Sequence, residues 1–151
     1  MSEGENNYRH PRAKRLAVVL NISQREEQEA LKRWGDAEQK LNAETEKTNQ
    51  LNSYADDYHK QLSNPSQTSV RAGDMHNTLS FLKQIKAALS QQEQRINQLR
   101  AQAAKARASY LECHGKVDAM VKMIDRLELE FQQTLNRNEQ RKADEWSNRQ
   151  R

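Results

Sequence analysis

Side chains able to do covalent or metal chemistry are few in this chain, and they are scattered. Histidines stand at His10, His59, His76 and His114, and Cys113 is the single cysteine. A thiolate–imidazole pair would need Cys113 to face a histidine. Its neighbour His114 cannot serve, because adjacent residues of a helix point to different faces. None of the five residues has the spacing of a metal-ligand set. No Gly-rich phosphate loop, Gly-x-Ser-x-Gly or His-Glu-x-x-His occurs. The reading is a protein that is not an enzyme, with no catalytic residues, no cofactor and no metal. What remains is recognition chemistry. Tyr54, Tyr58 and Phe81 make up half of the chain's six Tyr and Phe residues, and they lie in two segments with Leu51, Ile85 and Ala88 close by. Aromatic side chains dominate partner pockets when they are not needed for a core.

Such residues must be carried by helices. From Leu82 onward, apolar residues recur in steps of three and four: Ile85, Leu89, Ile96, Leu99, Ala103, Ala106, Tyr110, Cys113, Val117, Met120, Ile124, Leu127, Phe131. Gln92 and Thr134 are the polar exceptions. A 3.5-residue repeat held over about eight heptads is the seam of a left-handed coiled coil. The first half carries a poorer seam: Leu20, Ser23, Glu27, Ala30, Trp34, Ala37, Leu41, Glu44, Thr48, Leu51, Ala55, Tyr58, Leu62. Gly35 sits inside it at a cost of about 1 kcal/mol relative to Ala. It either lets a partner helix approach the Trp34 indole or is simply tolerated.

Composition agrees. Hydrophobic residues are 34% and aromatics 5% of the 151, too lean for a thick globular core, while charged residues reach 30%. The net charge of +4 is spread among acids rather than gathered on one face, which argues against nucleic-acid binding. No stretch has the length of a membrane span. Leu16 to Leu20 is too short for the apolar core of a signal peptide. A lone cysteine on the seam is expected to be buried and suits a reducing compartment. The expected location is the cytoplasm.

The convincing break is Ser63 to Gly73. There Pro65 removes a backbone donor, and Ser, Asn and Thr favour local bonds over helix. The expected organisation is a disordered basic tail over 1–11, a first helix over 12–62, a loop over 63–73 and a second helix over 74–148, together one coiled-coil domain. Ser69 and Asp74 are both N-cap candidates for the second helix. Two seams joined by one break predict an all-α fold, a long antiparallel two-helix coiled-coil hairpin. Folding about the loop brings together residues whose numbers sum to about 138, as antiparallel neighbours must. That register puts Leu51, Tyr54, Tyr58, Phe81, Ile85 and Ala88 at one level. Core reinforcement beside the turn and a binding surface account for that cluster equally well. Residues 26–46 hold seven acids against three bases, and the segment across from them carries Arg95, Arg100, Lys105 and Arg107 against Glu93 and Glu112. Opposed charges flanking the seam favour this pairing. The second helix extends past the first, and Leu127, Phe131 and Leu135 are expected to lack intramolecular cover. With Arg137, Arg141 and Lys142 they form an apolar and basic surface for a partner.

The chain resembles the flagellar export protein FliJ family from Arg15 to Arg151. The resemblance rests on the basic start running into Arg-Leu-Ala-Val-Val-Leu (15–20) and on Leu-Asn-Ser-Tyr-Ala-Asp-Asp-Tyr-His-Lys-Gln-Leu (51–62). It rests also on His-Asn-Thr-Leu-Ser-Phe-Leu-Lys-Gln-Ile-Lys-Ala-Ala (76–88) and on the ending Arg-Lys-Ala-Asp-Glu-Trp-Ser-Asn-Arg (141–149). It implies a soluble component of the flagellar type III export apparatus, similar to the central stalk of rotary ATP synthases. The implied partners are the hexameric export ATPase, met at the end bearing the termini, and the cytoplasmic domain of the membrane export gate. Export chaperones are candidate further partners. Nucleic acid is not a partner, and the membrane is met only peripherally, at the flagellar base. The family's gate-binding patch maps to Leu51, Tyr54, Tyr58, Phe81, Ile85 and Ala88, with Lys47 and Gln92 at two further positions. Gln92 stands where a histidine can occur. Two other readings fit a coiled coil: a chaperone or adaptor that holds clients between helices, and a homodimeric scaffold.

Overall fold

The computed structural model of the protein describes residues 7–63 and 72–150. They form two helices, α1 over Pro11–Ser63 and α2 over Ala72–Arg149. Pro11 opens α1, where its missing N–H is no loss and its fixed φ suits the first turn. His10 caps it. The Arg12 N–H donates to His10 Nδ1 at 3.0 Å, and the Lys14 N–H donates to the His10 carbonyl at 3.0 Å. Most of the expected loop, including Ser69, lies outside the described residues. Asp74, the other N-cap candidate, stands inside the first turn of α2. A negative charge there complements the helix dipole.

The chain divides into two units, Met1–Leu31 with Ala108–Arg151, and Lys32–Arg107. In the first, α1 and its cap meet residues of α2 in falling order: His10 with Phe131, Ser23 with Met120, Glu27 with His114. That order is antiparallel. The core is Ala13, Leu20 and Ile124, against which Tyr8, Leu16, Val117, Met120 and Leu127 pack. Ile124 is only 1% exposed. Ala13 of α1 packs with the larger Ile124 of α2, so a small and a large side chain interdigitate across the seam. After Leu135 every described residue of α2 is exposed, so α2 continues beyond the last residue of α1's side that covers it.

The second unit is antiparallel as well. Glu44 meets Gln92 and Arg95, and Tyr58 meets Phe81. Among its described residues the buried ones, Ile85, Ile96, Leu99 and Ala103, all belong to α2. The seam of α1 here, from Trp34 through Leu41, Glu44, Thr48 and Leu51 to Leu62, is only half-buried. Polar and small residues at these positions leave less apolar surface to withdraw from water. The architecture is therefore the all-α antiparallel hairpin that the two seams predict, with α2 the longer helix.

Two local expectations change, and one open alternative is settled. Thr134 is exposed, and Leu135, one residue on, is half-buried. A helix without a partner is not held to the 3.5-residue period and drifts toward 3.6. Cys113 lies on the seam but is half-buried. A methyl group added at Gly35 would meet nothing within 4 Å, so no helix approaches closely there and the glycine is simply tolerated.

Candidate partner-binding surfaces

Tyr58 and Phe81 are brought into contact across the second unit, with ring centroids 5.2 Å apart and planes at 53°. The geometry follows from the heptads. Tyr54 precedes the seam residue Ala55, and Phe81 and Ala88 precede Leu82 and Leu89. In an antiparallel pair such positions share one flank. On that flank Tyr54 is 57% exposed and Phe81 47%. Leu51, Tyr58 and Ala88 are half-buried beneath them, and Ile85 is core. The six residues of the cluster thus divide: Ile85 supports the fold, while Tyr54 and Phe81 present aromatic surface to solvent.

Next to this patch lies a polar knot that the sequence reading did not single out. Gln92 Nε2 donates to the Glu44 carbonyl at 3.2 Å and to the Glu44 carboxylate. Arg95 Nε lies 3.3 Å and Lys47 Nζ 3.4 Å from Glu44 Oε1. The bond from Gln92 holds the Glu44 carboxyl below its usual range, against the opposing effect of burial, and Arg95 and Lys47 add to the lowering. Lys47 and Gln92, the two outlying positions of the patch, are therefore tied to Glu44. The available signal was an acid on one seam facing a glutamine on the other, a pairing that fixes register at some cost in stability. Of the basic residues expected to pair across the seam, Arg95 does so. Arg100, Lys105 and Arg107 make no ion pair with a described residue.

The first unit corrects the expectation of an uncovered stripe. Leu127 packs on the Ala13, Leu20 and Ile124 cluster, together with Tyr8. Phe131 receives the His10 ring edge-on at a centroid distance of 5.9 Å and 72°. Glu128 fastens this cover, because its Oε1 accepts the N–H of Arg9 at 2.8 Å and of His10 at 2.9 Å. The reason is that Tyr8, Arg9 and His10, just ahead of α1, fold back along α2 rather than leaving it. Leu135 is half-buried, and Arg137, Arg141 and Lys142 are exposed.

The same unit exposes apolar residues the seam does not use. Val18 is 63% and Ile22 54% exposed, four residues apart on one face of α1, and Met123 and Leu129 of α2 are exposed too. The signal was the run Leu16 to Leu20, which holds more apolar residues than a heptad can bury. His114 stacks on Tyr110 at 5.8 Å and lies 3.1 Å from Glu27 Oε1. Among the described residues no three His, Cys, Asp or Glu are grouped to hold a metal ion. No described helix is long and apolar enough to cross a membrane.

A family model described as "Flagellar FliJ protein" matches residues 12–151. No curated protein and no solved structure matches the chain.

Proposed function

Because the chain belongs to the FliJ family, whose members are non-catalytic components of flagellar protein export, we propose that it acts as a coiled-coil stalk. In this reading it couples the hexameric export ATPase to the cytoplasmic domain of the export gate and so supports flagellum assembly and motility. It works on the cytoplasmic side of the membrane at the flagellar base, held there through the export apparatus.

The observation that carries the reading is the exposed pair Tyr54 and Phe81 above half-buried Leu51, Tyr58 and Ala88. Two large aromatic rings left about half in water forgo part of the stabilisation that full burial gives, about 1.5–3 kcal/mol for a side chain such as Phe. A partner pocket recovers it. The gate domain is that partner, and Ile85 anchors the patch from below. The ATPase is met by α2 beyond the cover of α1, where Arg137, Arg141 and Lys142 are exposed. Leu135 and the remaining open surface of Leu127 and Phe131 add the apolar part. Basic residues around an apolar strip guide docking onto an acidic ring entrance.

The test is a pull-down with the purified gate domain, paired with ATPase stimulation. The double variant Tyr54→Ala, Phe81→Ala is expected to keep its helical signal and lose gate binding, while its stimulation of the ATPase is unchanged. A chain ending after Leu135 is expected to do the reverse. Collapse of the helical signal in the double variant would make the two rings part of the core, and full stimulation by the shortened chain would place the ATPase contact elsewhere.

A further inference from the structure

We propose that the other flank of the second unit is a second docking site, a groove that takes an acidic amphipathic helix of a partner protein. Its position follows from the same heptads that place the aromatic patch. Asn52 and His59 follow the seam residues Leu51 and Tyr58, and Lys86 follows Ile85. Positions that follow the seam in this way share the flank away from Tyr54 and Phe81.

The groove exists because α1 is thin here. Thr48, Asn52 and Ala55 are small, while α2 sets Leu82, Ile85, Leu89 and Ile96 against them. The missing side-chain volume appears as a cleft of about 710 Å³ between Asn52–His59 and His76–Leu89. A second cleft of about 360 Å³ continues it toward Arg100, and Asn52 and Leu89 line both. The floor is apolar. Leu79 is 50% exposed, with half-buried Leu82 and Leu89 beyond it. These leucines recur at the spacing of one helix face, so their best complement is a second helix laid along them with its own leucines three and four residues apart.

Charge selects the kind of helix. Lys83 and Lys86 stand on the α2 wall of the larger cleft, and Arg100 on the wall of the smaller. None of the three pairs with a described residue, whereas Arg95 on the patch flank is already bound to Glu44. The rim also holds the carboxylates Asp56 and Glu93 and the imidazoles of His59 and His76. Three cations against two carboxylates leave a basic rim, and the two lysines are adjacent on it. Glutamates flanking the leucines of an incoming helix would meet Lys83 and Lys86 at the edge of an apolar floor, where water is partly excluded and ion pairs strengthen. Because the two flanks are separate, this partner and the aromatic patch's partner can be held together.

The test uses the full chain and a fluorescent designed helix of about 14 residues, roughly 21 Å long, with leucines on one face and glutamates beside them. A twin carries lysine in place of each glutamate. In anisotropy titrations the acidic helix is expected to bind, more weakly at high salt. Lys83→Glu with Lys86→Glu should reduce its affinity about tenfold or more and improve binding of the lysine twin. Asn52→Trp, which fills the cleft from an exposed position, should block both helices. Tyr54→Ala with Phe81→Ala should leave binding of the acidic helix as it is in the unaltered chain. Circular dichroism of each variant separates lost binding from lost folding. Absence of binding, equal binding of both helices by the unaltered chain, or loss of binding in the Tyr54 and Phe81 variant instead would overturn the proposal. So would self-association of the free chain that Asn52→Trp abolishes, since the groove would then belong to a second copy. The gate pull-down tests the aromatic patch separately, so failure of the groove and failure of the patch are distinguishable.

Discussion

Replacing Glu128 should loosen the start of α1 while leaving the rest of the protein in place. One carboxylate oxygen accepts the N–H groups of Arg9 and His10 at 2.8 and 2.9 Å. Both donors sit at the positive end of the α1 dipole, where a negative charge is favoured by about 0.3–1 kcal/mol. Losing a helix-capping acceptor typically costs about 1 kcal/mol. The donors of Glu128→Ala are partly reached by water, so the full penalty of a buried orphan does not apply. The expected loss is about 1–2 kcal/mol. Glu128→Gln keeps an acceptor and loses the charge, so it should forfeit less than half of that. The loss should be local, because the anchored segment is short and its main apolar contacts are Tyr8 on the core cluster and His10 on Phe131. Hydrogen exchange is therefore the right assay. In Glu128→Ala, amides from Arg12 to Leu16 should exchange about five- to thirtyfold faster, the factor that 1–2 kcal/mol represents. Amides around Ile85 and Ile96 should be unchanged. Equal protection of the first turn in the variant and the unaltered chain would refute the reasoning, because the cap would then carry no energy. Uniform acceleration throughout would refute it differently, by making Glu128 part of one cooperative unit.

Other perturbations have equally definite expectations. Gly35→Ala and Gly115→Ala place a methyl where nothing lies within 4 Å, so each should stabilise the protein to denaturant by about 1 kcal/mol; destabilisation by either would reveal a contact absent from the structure. The lowered Glu44 pKa implies a contribution that is complete at neutral pH and lost as pH falls from the ordinary carboxylate range through the folded-state value. Thermal stability should decline over that acid window, and Glu44→Gln should flatten the decline; an unchanged slope in the variant would assign the acid sensitivity to other carboxylates. Reversing Arg137, Arg141 and Lys142 to Glu should leave helix content intact and weaken ATPase stimulation most at low salt, and equal loss at every salt concentration would exclude electrostatic guidance.

Much of this protein was legible in its sequence because a coiled-coil seam is a local and repetitive code. Every seam position from Leu82 to Phe131 is buried or half-buried, and so is every position from Leu20 to Leu62. Each heptad repeats the same test of period, and an error in one is corrected by its neighbours. A single strong break then leaves few ways to pair two seams, and opposed charges favour the antiparallel one. The FliJ family resemblance was legible for the same reason, since segments such as Leu51–Leu62 keep their character within that repeat. Tertiary structure decided what periodicity cannot encode. Whether Phe131 is covered depends on where the few residues just ahead of α1, Tyr8 to His10, turn, and one Glu128 carboxylate settles that through backbone N–H groups that carry no side-chain signature. Whether Glu44 is a flaw in the seam or an anchored group depends on Gln92 and Arg95, which are distant in sequence and adjacent only across the hairpin. The difference between the two flanks of the second unit arises in the same way. Tyr54 and Phe81 fill one side and Thr48, Asn52 and Ala55 leave the other open, and that contrast appears only when two helices are laid together, because volume is a property of the pair.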